Sequence, residues 1–220
     1  MRRMILGANT RGYNTAFLTV LKAAQAAEKD PTANIADAVV EALAGAPNSL
    51  QWPTDEQLET AFKNDRFYGR FTQERIRMLL GAIDAQLRAE NPKTESATFN
   101  YDELQIEHVM PQSWEQHWPL PAELDTDPAR KALAQNERKI AVDRIGNLTL
   151  VTSSFNQGVS NLAWDVKSPE LGQQSRLQLN SPIAASPTWD ESAITERAAV
   201  LAAASCRVWP GYQGGTGSLA

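Results

Sequence analysis

Only two histidines stand among the 220 residues, His108 and His117, so few places can exchange protons near neutral pH. His108 follows Glu107 at the end of the alternating segment Leu104-Gln105-Ile106-Glu107 and precedes Val109-Met110-Pro111-Gln112. His117 lies between Trp114 and Trp118 in a polar, loop-like stretch and reads as a structural residue. A neutral imidazole beside a carboxylate-bound cation is what phosphodiester hydrolysis needs. The ring takes the proton of water, and the cation holds the charge that builds on oxygen. A hard cation takes oxygen ligands from carboxylates, amide carbonyls and water. Glu107 offers the carboxylate, and Asn147 and Asn156 each offer an amide. The two asparagines flank Leu148-Thr149-Leu150-Val151, a β-prone segment that can pair with the strand carrying Glu107 and His108. Such a hairpin would gather all four groups at one end. Successive strand residues face opposite sides, so Glu107 and His108 can share a site only where the strand twists or stops; Pro111 favours a stop. Plainer duties also fit: Asn147 after Gly146 suits a turn, and Asn156 suits a helix cap.

The elements around this hairpin are mostly helical. Phe17, Val20, Leu21 and Ala24 recur at helical spacing behind Asn14, a candidate N-cap. A second helix is expected over Ile35 to Leu43, stopping at Gly45. Thr54-Asp55-Glu56-Gln57 has the form of a capping box and opens a third. Ile76, Leu79, Leu80, Ile83 and Leu87 form the apolar stripe of a fourth, closed by Asn91-Pro92. Further helices are expected over Pro128 to Ala141, within 156–167, and from a capping box at Thr188-Trp189-Asp190-Glu191 through Ile194, Ala198, Leu201 and Ala202. Residues 168–187, with prolines at 169, 182 and 187, read as irregular. The fold class is therefore α+β, mostly helical, with one two-stranded hairpin.

Composition narrows the options. One cysteine, Cys206, excludes an internal disulfide and a cysteine-based zinc cluster. No apolar run is long enough to span a bilayer, and the basic start lacks a secretory apolar core, so a cytoplasmic location is expected. The net charge of −5 argues against gripping nucleic acid by bulk electrostatics. Charge is uneven, however: Arg130, Lys131, Arg138, Lys139 and Arg144 crowd a stretch whose acids are Glu137 and Asp143. The six tryptophans read as packing residues before base-stacking platforms.

Taken in order, Ile106-Glu107-His108-Val109-Met110-Pro111-Gln112, Ile145-Gly146-Asn147-Leu148-Thr149-Leu150-Val151, Asn156 and Ser160-Asn161 through Lys167 form a pattern. It resembles the C-terminal HNH domain of the GmrSD-like restriction endonucleases, a phage-defence, modification-sensing family that includes phosphorothioate-sensing SspE-like proteins. Trp52-Pro53, Arg77-Met78-Leu79-Leu80 and Ile194, Arg197, Leu201 and Trp209-Pro210 agree, so the likeness covers about residues 50–210. The resemblance implies a ββα-metal core embedded in helices, with His108 as general base and Glu107 on Mg²⁺ or Mn²⁺. It further implies that Asn147 braces the loop and orients the base, and that Asn156 completes the metal site. Arg144 and Lys167 become candidates to touch DNA phosphate. A departure is the separation of His108 from Asn147, longer than in a compact HNH motif, which leaves open which asparagine binds metal. On this reading residues 1–95 are a helical part packing on the nuclease, 96–210 the nuclease core with its closing helix, and 211–220 a disordered tail. The expected partners are foreign or phage DNA and a ParB-like nucleotidase or sensor, as an N-terminal domain or subunit outside this chain. Two other functions fit the residues: a catalytically silent DNA-binding or regulatory module on the same scaffold, and a helical module docking through residues 10–90.

Overall fold

Local sequence dictates most of the helix starts. In the computed structural model, which describes residues 1–8, 11–45, 52–92, 99–159 and 161–211, Thr54 and Gln57 bond reciprocally. Thr54 N donates to Gln57 Oε1 at 3.0 Å and Gln57 N to Thr54 Oγ1 at 3.2 Å, so the expected capping box opens a helix over Asp55–Asn64. Asn34 caps the helix Ile35–Ala44 by accepting from Ala36 N and Asp37 N, and Thr72 caps Gln73–Glu90. Asp127 caps Pro128–Ala141, whose proline occupies the first turn, where its missing N–H costs nothing. The expected tail falls, from residue 212 onward, outside the described residues.

In chain order the helices are α1 (Arg2–Ile5), α2 (Tyr13–Glu28), α3 (Ile35–Ala44), α4 (Asp55–Asn64), α5 (Gln73–Glu90), α6 (Pro128–Ala141), α7 (Ser153–Val159), α8 (Trp164–Gln174), α9 (Ser181–Ala184) and α10 (Glu191–Val208). The strands are β1 (Gln105–His108) and β2 (Leu148–Val151). The chain forms two compact units, Met1–Ala61 with the segment from Trp209 onward, and Phe62–Val208.

In the first unit α2 and α3 pack on each other. Arg2 is buried, donating from Nη1 to Pro53 O at 2.9 Å and from Nε to Trp209 O at 2.6 Å while pairing with Asp55. The expected helix forms as α2, with Phe17 and Leu21 exposed on its apolar face. Gly12, at φ 82°, precedes the helix where Asn14 was the expected cap.

The second unit holds the sheet. β1 and β2 are antiparallel, with Gln105 opposite Val151, Ile106 opposite Leu150, Glu107 opposite Thr149 and His108 opposite Leu148. α5 packs against both strands and buries Ile76, Leu79, Leu80 and Ile83, with Leu87 half-buried. α10 packs on α5 and on the 3₁₀ turn Ile145–Asn147 that leads into β2. The long connection from β1 to α6 is anchored by Trp114 and Trp118, buried beside Trp189 in the same core. The packing reading of these tryptophans holds. Trp164 stacks on Trp189 with ring centroids 5.6 Å apart.

Two expectations are corrected here. Residues 168–187 are not irregular throughout: α8 runs through Pro169, and α9 begins with Ser181-Pro182. Proline punctuation misled because Pro169 sits inside α8, where its missing N–H removes one helical bond, to the Asp165 carbonyl, and the helix continues on either side. The last helix is capped by Asp190, whose Oδ1 accepts from Ser192 N and Ala193 N at 3.0 Å each, so the cap lies two residues beyond Thr188.

Candidate active site

β1 ends at His108, and the chain turns away through Val109-Met110-Pro111. Glu107 and His108 both line one polar pocket of about 340 Å³, together with Pro111, Gln112, Ser113 and Asn161. His108 keeps partial exposure there, while Glu107 is buried.

The imidazole is held on two sides. Its Nε2 lies 3.4 Å from Asp143 Oδ1, and Tyr68 packs edge-on against the ring, centroids 4.5 Å apart. Asp143 is itself buried and fully engaged. Gln112 Nε2 donates to Oδ1 at 3.1 Å, Arg66 pairs with Oδ2, and the main-chain carbonyl accepts from Phe67 N at 2.8 Å and Tyr68 N at 3.0 Å. Burial pushes the Asp143 carboxyl up, but hydrogen bonds from His108, Arg66 and Gln112 outweigh it and leave it below its ordinary value.

Glu107 has a different partner. Lys167 Nζ sits 2.5 Å from Glu107 Oε1 and donates to His108 O at 2.7 Å. Burial pushes the Glu107 carboxyl up and the Lys167 ammonium down; their mutual attraction opposes both shifts. Lys167, expected at a DNA phosphate, is 2% exposed and points inward to this pair. Arg144 is half-buried, pairs with Arg66 in an isolated β-bridge, and stands outside the pocket lining.

The two asparagines separate clearly. Asn147 is wholly buried: Oδ1 accepts from Met110 N at 2.8 Å and Trp189 Nε1 at 3.0 Å, and Nδ2 donates to Met110 O and Val142 O at 2.8 Å each. Every hydrogen-bonding position of its amide is used, so it braces the chain and offers nothing to a metal. Behind it, Arg197 Nη1 bonds Gly146 O at 2.7 Å and Leu148 O at 2.8 Å; burial pushes its guanidinium down to about 9. Asn156, on α7, donates to Gln105 Oε1 at 2.9 Å. Gln105 and Glu107 share one face of β1, so Asn156 stands beside the Glu107 face, one alternation along the strand. It does not line the pocket; Asn161 does, accepting from Ser113 Oγ at 3.2 Å. His117 is exposed and takes no part.

Among the described residues no group of three or more His, Cys, Asp and Glu could hold a metal ion. One buried carboxylate with amide oxygens nearby fits a magnesium-type cation that keeps most of its own water; it does not fit zinc. Sequence reasoning missed Asp143, Gln112 and Tyr68. Asp143 had been counted only as an acid within a basic stretch, and its place four residues ahead of Asn147 was the available signal.

A histidine at a strand end thus stands against one buried carboxylate and beside a second, at an open polar pocket. The chain belongs to the family of the GmrSD restriction endonuclease C-terminal domain, whose model matches residues 52–204, and with it to a class of nucleases. No curated protein and no solved structure matches the chain. No helix among the described residues is long and apolar enough to cross a membrane.

Proposed function

We propose that this chain is a metal-dependent DNA endonuclease of the HNH type that nicks or cleaves phosphodiesters of foreign or phage DNA, with His108 as general base. The observation that supports this reading is that His108 and Glu107 line the same pocket although they are neighbours on β1. The order β1, β2, α7, with α6 inserted between the strands, supports a reading as a ββα core. His108 accepts the proton of the attacking water. Asn147 holds the loop after His108 in place, and Lys167 pairs with the buried Glu107. Glu107 and Asn156, the latter released from Gln105, would hold Mg²⁺ or Mn²⁺, which supplies Lewis-acid stabilisation of charge on the phosphate oxygens. Arg144, and less readily the buried Lys167, are the proposed cations near DNA phosphate. The enzyme works in the cytoplasm, and target choice lies with a ParB-like N-terminal sensor domain or subunit.

The test is cleavage of supercoiled plasmid by the 220-residue chain with Mg²⁺ and then Mn²⁺, beside His108→Ala. Nicking by the wild type with a loss of about a hundredfold or more in the variant is expected. Unimpaired cutting by His108→Ala would overturn the assignment. The internal neutralisation of Glu107 by Lys167 favours a second reading, a catalytically silent DNA-binding or regulatory module on the same scaffold. DNA binding without cleavage across divalent metals would establish it.

A further inference from the structure

The carboxylate facing His108 carries more than an ion pair requires. Asp143 is 3% exposed, whereas the Arg66 side chain paired with it is 58% exposed. A pair with one partner in water contributes little. That is too little to explain burying a carboxylate. Several further contacts of Asp143 converge on the imidazole and its supports. Oδ1 faces His108 Nε2, Gln112 from the pocket wall bonds the same oxygen, and the main-chain carbonyl fixes Tyr68, which packs on the ring. The Asn147 amide joins the two segments that carry the pair, bonding Met110 beyond His108 and Val142 just before Asp143.

We propose, on the reading of His108 as general base, that Asp143 is a positioning residue that keeps the His108 proton on Nε2 and leaves Nδ1 bare to take a proton from water. A neutral imidazole has one donor and one acceptor nitrogen, and a carboxylate at Nε2 can only accept. The N–H therefore belongs on the Asp143 side. The 3.4 Å separation is long for such a bond, as catalytic hydrogen bonds commonly are before substrate tightens them. Arg66 and Gln112 hold the carboxylate from its other directions, so it cannot turn away from the ring.

The experiment reads the proton position directly. The metal-free chain is labelled with ¹⁵N-histidine and long-range ¹H–¹⁵N spectra are recorded where the rings are neutral. With two imidazoles in the chain, His117→Gln assigns them. Wild type is expected to show His108 protonated at Nε2 with bare Nδ1. Asp143→Asn, whose amide can donate to Nε2, is expected to move the proton to Nδ1. In plasmid cleavage that variant is expected to lose about a hundredfold or more in kcat, with KM for DNA within about twofold and Mn²⁺ binding unchanged. Asp143→Glu should recover part of the rate. A wild-type ring protonated at Nδ1 overturns the proposal, and this arm needs no variant to fold. An Asp143→Asn chain with unchanged tautomer and rate overturns it too. If wild type itself does not cut, the nuclease reading fails, while the tautomer pattern still decides the role of Asp143.

Discussion

Asn147 closes a ring with the main chain of Met110, accepting from its N–H and donating to its C=O at 2.8 Å each. The same amide reaches Val142 O and Trp189 Nε1, so one side chain joins the loop after β1, the end of α6 and the start of α10. Asn147→Ala leaves these buried groups unpaired, at about 1–3 kcal/mol each before relaxation. An overall loss of about 3–5 kcal/mol in urea unfolding is expected, together with loss of any cleavage. A loss below about 1 kcal/mol would show that water replaces the amide and that the brace is dispensable.

The hairpin, the capped helices and the pairing of Glu107 with His108 were legible because each is written within a few neighbouring residues. Strand alternation, a capping box and a proline stop are local signals. The carboxylate behind His108 was not legible, because Asp143 stands 35 residues away and is brought back by the antiparallel return of the chain. Lys167 reaches Glu107 across a longer separation, from the helix after β2 and α7. As a sequence signal it was indistinguishable from a surface lysine, and only its burial separates the two. The α2 stripe fails the other way: helical periodicity marks an apolar face but does not say what covers it.

Gly146 sets the closest approach in the second unit. A Cβ at this position would overlap Ile194 O, a main-chain atom that cannot swing aside. Gly146→Ala is therefore expected to cost about 3 kcal/mol or more, or to prevent folding, by pushing α10 away from the turn that carries Asn147. Circular dichroism and urea unfolding check it. A variant of wild-type stability would mean that α10 shifts freely, contrary to the tight seat described for it.

Asp143 gives a pH dependence of defined sign. Burial raises its carboxyl, but the bonds from His108, Arg66 and Gln112 prevail, so the folded group titrates below its ordinary 3.8. Between the two values the unfolded chain binds more protons than the native one. The contribution of Asp143 is thus present above 3.8 and lost as pH falls through the lower folded value. In urea unfolding across a pH series, the stability gap between wild type and Asp143→Asn should be level above about pH 5 and shrink below the ordinary value. A gap that stays flat into acid would assign the stabilisation to packing.

Lys167 and Glu107 are each almost wholly inside, so breaking their pair leaves a charge with no water to replace the partner. Lys167→Met should lose about 3–5 kcal/mol, largely as the penalty on a stranded Glu107 carboxylate. Adding Glu107→Gln to that variant should restore much of the loss, since an apolar or neutral pair escapes the desolvation cost. Additive losses in the double variant would deny the coupling.

Metal linkage can separate the two amides next to Glu107. A cation that binds only the folded chain stabilises it by about 2.7 kcal/mol at a hundred times its Kd, near 5–10 °C in Tm for a chain of this size. Mn²⁺ is expected to raise the Tm of wild type and of His108→Ala, whose change leaves the oxygen ligands in place. Glu107→Gln should abolish the rise. Asn156 shares the Glu107 face of β1 through Gln105, whereas Asn161 stands on the pocket wall bonded to Ser113. Asn156→Ala should therefore remove most of the Mn²⁺ shift and Asn161→Ala little of it. The reverse result would move the second ligand to Asn161 and leave Asn156 as a brace for β1. No shift in wild type at millimolar Mn²⁺ would mean that Lys167 already supplies the only positive charge this carboxylate accepts.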